Sequence, residues 1–193
     1  MRRGRVAGRE ARHPHAPVPR VKPAGKLWRK LHLGMDAGTG QIVAVSLTAK
    51  EVDDGAEVGA LLDQVAGPVA TLTADGGYDQ DNVYADVAER RADTNVVVPP
   101  RTTAVPRETA ESAPTQRDRH LQCIAEHGRM AWRRASGYPR RALAEVAIRR
   151  WKQVIGDGLR AHKDACRAAE VEVAAYALNR MLEFARPKYG RTA

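Results

Sequence analysis

Two short apolar runs that stop abruptly constrain this chain more than anything else in it. Residues 69–74 read Val-Ala-Thr-Leu-Thr-Ala and end on Asp75-Gly76-Gly77-Tyr78-Asp79, and residues 94–98 read Thr-Asn-Val-Val-Val and end on Pro99-Pro100. Short, β-branched runs closed by turn formers read as buried strands. Between them, residues 82–91 read as a helix. Upstream, residues 30–35 and 41–47 are strand-like, and Asp36-Ala37-Gly38-Thr39-Gly40 between them is a hairpin signal. Residues 52–65 set Val58, Leu61, Leu62 and Val65 at helical spacing. Residues 101–115 form a polar loop. From 116 onward the pattern is helical, punctuated at Gly137 and at Gly156-Asp157-Gly158, and it closes on a long amphipathic segment at 163–185. No internal repeat is visible. The order of hairpin, helix, strand, helix, strand and then helices implies an α/β fold, a mixed sheet with flanking helices and a helical C-terminal layer.

With 193 residues, 43% of them hydrophobic and 28% charged, the chain suits one globular domain. No apolar run has the length of a membrane span, and the basic N-terminus leads into Pro14, Pro17, Pro19 and Pro23 rather than an apolar stretch, so it is a poor signal peptide. Cys123 and Cys166 have neither metal-ligand nor disulfide-framework spacing. A cytoplasmic protein is expected. The net charge of +9 favours a polyanionic partner, and its distribution is uneven. Residues 1–35 hold ten Lys or Arg against one Glu, while the remaining 22 basic residues are matched by 22 acidic ones. The excess therefore sits in a Pro- and Arg-rich segment, 1–25, expected to be disordered. Such an arm either contacts phosphates or is a solvated tail.

Two constellations carry chemistry. Asp75 ends a buried strand, where open α/β sheets place their ligands, and the following glycines leave its carboxylate unobstructed. It reads either as a hard oxygen ligand for Mg²⁺ or as the cap of the next helix. The second constellation is Tyr138-Pro-Arg-Arg141-Ala-Leu-Ala-Glu145, followed after six residues by Lys152. On a continuous helix Tyr138, Arg141, Glu145 and Lys152 fall within roughly 60° of one another. Leu143, Ala147, Trp151 and Val154 lie opposite and would bury. That face is either a site or a solvated surface with an Arg141–Glu145 pair at i,i+4.

Taken together, these residues resemble the catalytic domain of insertion-sequence transposases of the DDE class, in the branch with the Y-x₂-R-x₃-E-x₆-K signature. Tyr138, Arg141, Glu145 and Lys152 match that signature, and Ala74-Asp75-Gly-Gly-Tyr-Asp79 resembles the family's second-aspartate block. Trp28-Arg-Lys-Leu-His-Leu33, Val98-Pro-Pro-Arg101 and Ile155-Gly-Asp-Gly-Leu159 look like its supporting segments. The resemblance spans residues 27–181. It implies a ribonuclease-H-like fold in which three carboxylates bind two divalent ions, Mg²⁺ by expectation, that activate a nucleophile and stabilise the leaving oxygen of a phosphodiester. Carried over, Asp75 is the second carboxylate and Glu145 the third, both catalytic and metal-binding. Tyr138, Arg141 and Lys152 would contact DNA, the arginine through the match between its planar fork and phosphate.

The sequence departs from the family at the first aspartate, which lies on an earlier, central strand. Glu10 is the only acidic residue before Asp36 and has no apolar strand around it. Asp36 stands in a hairpin turn, where Asp followed by Gly is favoured for backbone reasons. Two strand edges are therefore expected to lack a partner. The expected organisation is an arm at 1–25, a truncated catalytic domain at 26–186 and a tail at 187–193. The reading is a transposase, truncated and inactive, with DNA as partner and homo-oligomerisation open. The alternative is a non-catalytic DNA-binding fragment that competes with an intact transposase. His32, alternating with Leu31 and Leu33, is expected to face solvent or DNA. His120 and His127 are given structural roles. Trp132, Trp151 and the residues Val171, Val173, Tyr176, Leu178, Met181 and Leu182 are expected in the core.

Overall fold

The computed structural model describes residues 28–185. The expected arm at 1–25 and tail at 187–193 lie outside the described residues. Strands β1 (Arg29–Met35) and β2 (Ile42–Ala49) form an antiparallel hairpin with Leu31 opposite Leu47 and Leu33 opposite Val45. The turn is tied by Asp36, whose Oδ1 accepts from the amides of Gly38 at 2.6 Å and Thr39 at 3.1 Å. Those amide bonds hold the Asp36 carboxyl below its ordinary range.

The segment expected to be one helix at 52–65 divides. Asp53 caps a 3-10 turn at Asp54–Glu57 by accepting from the Gly55 amide, and helix α1 runs only over Val58–Asp63. Strand β3 (Thr71–Thr73), helix α2 (Asp81–Arg90) and strand β4 (Asn95–Val97) follow, and β3 pairs with β4 in parallel. A helix that crosses between parallel strands is the standard connection.

The chain then turns helical. Thr115 and Asp118 form a capping box that starts α3 (Gln116–His127). Gly128 at φ +83 corners into α4 (Arg129–Ala135), since an L side chain rarely adopts that backbone. A 3-10 turn at Tyr138–Arg141 leads into α5 (Ala142–Val154), and α6 covers Asp164–Ala185.

The strands make two separate two-stranded sheets, β1–β2 and β3–β4, and each has its own core. Ile42, Trp151, Val171, Ala174, Ala175 and Leu178 close the first, with α5 and α6 against the hairpin. Val58, Leu62, Val83, Val87, Val96 and Val98 close the second. Trp132 is 2% exposed, as expected of core. Several other expectations fail. On α6 only Val171 and Leu178 of the expected core residues are fully buried, while Val173, Tyr176 and Met181 are exposed. That helix packs on β2 along a narrow stripe of Val171, Ala174, Ala175 and Leu178, the i, i+3, i+4, i+7 pattern of one face. On α5 Ala147 and Trp151 bury, but Leu143 and Val154 do not. His32 is 6% exposed, not solvent-facing, and its Nε2 shares a 2.8 Å hydrogen bond with Thr48 Oγ1 across the hairpin. No helix among the described residues is long and apolar enough to cross a membrane.

Candidate functional site

Asp75 follows β3 and turns its carboxylate two ways. Oδ1 accepts from the Gly77 amide at 2.9 Å and caps the 3-10 turn at Gly76–Tyr78. A Cβ on residue 77 would stand 3.0 Å from that oxygen, so glycine keeps the cap open. The other oxygen, Oδ2, lies 3.7 Å from the Arg141 guanidinium. The cap and the outward-facing carboxylate therefore coexist in one side chain.

Arg141 also donates to Glu145, one helical turn on, through its second terminal nitrogen. One planar fork thus spans two carboxylates from different parts of the chain. The hydrogen bond to Glu145 is the main cause that raises the Arg141 pKa further, with Tyr138 and Asp75 adding to it and partial burial opposing. Tyr78, next to Asp75, has its phenol pushed up to about 12 by burial and by the charges of Asp54, Asp75 and Asp53, so it stays neutral.

These groups open onto a cleft of about 1260 Å³ between the two sheets. Its walls include β1, the stretch from Ala70 to Asp75, α1 and α5. Asp75, Arg141, Glu145 and Lys152 all line it. Tyr138 is not with them. Its ring packs 5.7 Å from Trp132, and the Arg133 guanidinium sits 5.3 Å over its face. The reason is local: Gly137 at φ +72 and Pro139 start a 3-10 turn, so the α-helical spacing assumed for Tyr138 and Arg141 does not hold there. His120 completes that aromatic cluster, 5.4 Å from Trp132, and burial lowers its pKa.

Asp36 also borders the cleft, but at its far end. Lys30 Nζ, at the start of β1, donates to Asp54 Oδ1 at 2.9 Å and to the Val52 carbonyl at 2.7 Å. That turn meets the one following Asp75, through Gln80 Nε2 to Asp53 Oδ1 at 2.9 Å. The beginning of β1 and the end of β3 therefore share one end of the molecule, and the two strands run in opposite directions. Asp36 lies a strand length away, roughly 20 Å at 3.3 Å per residue.

Sequence reasoning missed three contributors. Arg140 and Arg149 line the cleft beside Arg141 and Lys152, and together these cations outnumber Asp75 and Glu145 on that wall. Arg149 stands four residues after Glu145, so helical spacing was its available signal. The third is Asp79, whose side chain is fully buried. It accepts from Arg117 at 2.7 and 3.1 Å and from the Arg101 amide at 2.9 Å, and so pins the Asp75 loop to α3. No local pattern announces that pair.

Among the described residues no three of His, Cys, Asp or Glu come together as a metal site. The donor set is two carboxylates with an arginine between them, and this does not fit a resident metal pair. No solved structure matches the chain. Its sequence does match the family described as transposase DDE domain, over residues 9–182. The motif around Asp75, the Arg141–Glu145 helix and that match over most of the length agree: the chain belongs to the transposase DDE domain family, whose members move DNA with the help of divalent metal ions.

Proposed function

We propose that this chain is a DNA-binding transposase domain in which Asp75 and Glu145 are two of the family's three metal-binding carboxylates, without cleavage activity of its own. Residues 1–25 act as a basic arm, 26–186 as the catalytic domain and 187–193 as a tail, in a cytoplasmic, nucleoid-associated protein that is free to self-associate. The observation that carries the reading is the shared Arg141 guanidinium, which brings two distant carboxylates to one wall of a cationic cleft. Arg141 and Lys152, with Arg140 and Arg149, would grip phosphate oxygens there, and Tyr138 would support them from the Trp132 side. Mg²⁺, when bound, would supply an activated water and stabilise the leaving oxygen. Asp75 and Glu145 would hold it only with a third carboxylate, which the ribonuclease-H-like fold carries on a central strand. Asp36 is a poor stand-in for it, since it stands in the β1–β2 turn, roughly 20 Å along β1 from the end shared with Asp75.

The second reading, a non-catalytic fragment that competes with intact transposase for DNA, is favoured by the two-carboxylate donor set. Both are tested by one pair of measurements. Strand nicking of supercoiled DNA with Mg²⁺ or Mn²⁺ is expected to be absent for the chain and for its Glu145→Gln variant alike. DNA binding is expected to weaken steadily as salt rises, because phosphate contacts release counterions. Metal-dependent nicking that Glu145→Gln abolishes would overturn the inactive reading and establish the site.

A further inference from the structure

Four cations face the cleft from the wall that carries Glu145: Arg140, Arg141, Arg149 and Lys152. Three of them are uncommitted. Among the described residues, the side chains of Arg140, Arg149 and Lys152 have no hydrogen bond or ion pair. Arg141 differs. One of its terminal nitrogens donates to Glu145 and the other lies 3.7 Å from Asp75 Oδ2, so both ends of its fork meet carboxylates. A bidentate grip on phosphate needs two parallel N–H groups on one edge of that fork. The two carboxylates repel an incoming phosphate oxygen from the same place. Arg141 can therefore serve the carboxylates or a phosphate, but serves both together poorly.

We infer that Arg141 is the resident cation of Asp75 and Glu145 in the free chain, and that a backbone phosphate of bound DNA draws it off them. The guanidinium is then an internal clasp, which keeps both carboxylates occupied until DNA arrives. The inference rests on the DNA-binding reading given above. It also accounts for the poor fit of this donor set to a metal pair, since a guanidinium already offsets part of the carboxylate charge.

The clasp is one that can open. The side chains of Asp75 and Glu145 are 49% and 61% exposed, and ion pairs with that much access to water are weak. At 3.7 Å the contact with Asp75 is too long for a hydrogen bond. Each carboxylate keeps a second source of stabilisation when the guanidinium leaves. Asp75 Oδ1 retains the Gly77 amide at 2.9 Å, and Glu145 stands in the first turn of α5, where the helix dipole favours an acid. Nor does release part the two sheets. Lys30 still holds Asp54 at 2.9 Å, and Gln64 still accepts from the Val45 amide at 3.0 Å.

The test is a double-mutant cycle on the DNA affinity of the full chain. A short labelled duplex is titrated by fluorescence anisotropy at low salt in EDTA, so that no divalent ion takes part. Glu145→Gln loosens the clasp and is expected to raise affinity about threefold. In the Arg141→Gln background the same substitution is expected to raise it about 1.5-fold or less, the remainder being general repulsion between a carboxylate and DNA. Nitrogen-15 NMR follows the exchange directly. The Arg141 guanidinium signals, assigned by their loss in Arg141→Gln, are expected to shift when duplex is added and to be displaced already in Glu145→Gln without it. Equal gains from Glu145→Gln with and without Arg141, no gain at all, or guanidinium signals that duplex leaves unmoved would each overturn the inference while leaving DNA binding in place. Absence of DNA binding by every variant would instead sink the DNA-binding reading, and the clasp with it.

Discussion

The hairpin half and the βαβ half of the molecule are built by different means. In the first, a two-stranded antiparallel sheet lies on α5 and α6 over a continuous apolar cluster centred on Leu178 and Trp151. In the second, five valines and a leucine close a small core, and a buried ion pair, Asp79–Arg117, ties the loop after β3 to α3. Glu145 belongs to the first half and Asp75 to the second. Between the halves the contacts named above are polar: Arg141 with Asp75, Lys30 with Asp54, and Gln64 with the Val45 amide. The difference teaches that packing fixes each carboxylate within its own half, while a few charged and amide groups set the distance between them.

The strongest way to break this comparison is Arg117→Ala. It leaves the fully buried Asp79 carboxylate unpaired, at an expected cost of about 3–5 kcal/mol. Hydrogen exchange should then accelerate in β3, α2 and β4 and far less in α6. Equal loss in both halves would show a single cooperative core.

Leu178→Ala is the converse, removing a side chain of 0% exposure from the first cluster for about 3 kcal/mol. Its exchange signature should be concentrated in β1, β2 and α6, and a midpoint shift in denaturant reads its size. Asn179→Leu should cost about 1–3 kcal/mol by stranding the Ile42 amide and carbonyl. Calorimetry should register it beside an unchanged β3–β4 unit. The smallest effect is expected from acid. Asp118 is 3% exposed, and despite the opposing pull of desolvation its bonds from Thr115 and Arg107 hold its pKa below the ordinary value. A depressed carboxyl contributes stability that is complete above its unfolded value, near 3.9, and that is lost as pH falls through the lower folded value. Asp118→Asn should flatten that part of an acid-unfolding curve.

The strands, the hairpin turn and the two helices around the Asp75 loop were legible because short-range periodicity and turn residues encode them. That the strands form two separate two-stranded sheets rather than one mixed sheet was not, since short-range periodicity carries no signal for which edges meet. Arg141, Glu145 and Lys152 reach one cleft as their spacing suggested, because α5 is regular from Ala142 onward. Tyr138 does not, because it lies inside the 3-10 turn that Gly137 and Pro139 start just before α5. His32 looked exposed from alternation alone, but alternation assigns a face and says nothing of what covers it. On the face of the hairpin carrying His32 and Ser46, Thr48 and Glu57 supply the covering groups.

The amides of Asn179, Gln64 and Gln116, which bond the backbone of Ile42, of Val45, and of Val96 and Thr94, also bear on whether a further strand can add to either sheet. Open-ended stacking into fibres requires a free margin on both flanks, so that each recruit exposes a new one. Here the outer margins of β2 and β4 are capped at Ile42, Val45, Val96 and Thr94 by side-chain amides carried on or just beside helices. An added strand would have to displace those amides before it could pair along either outer margin.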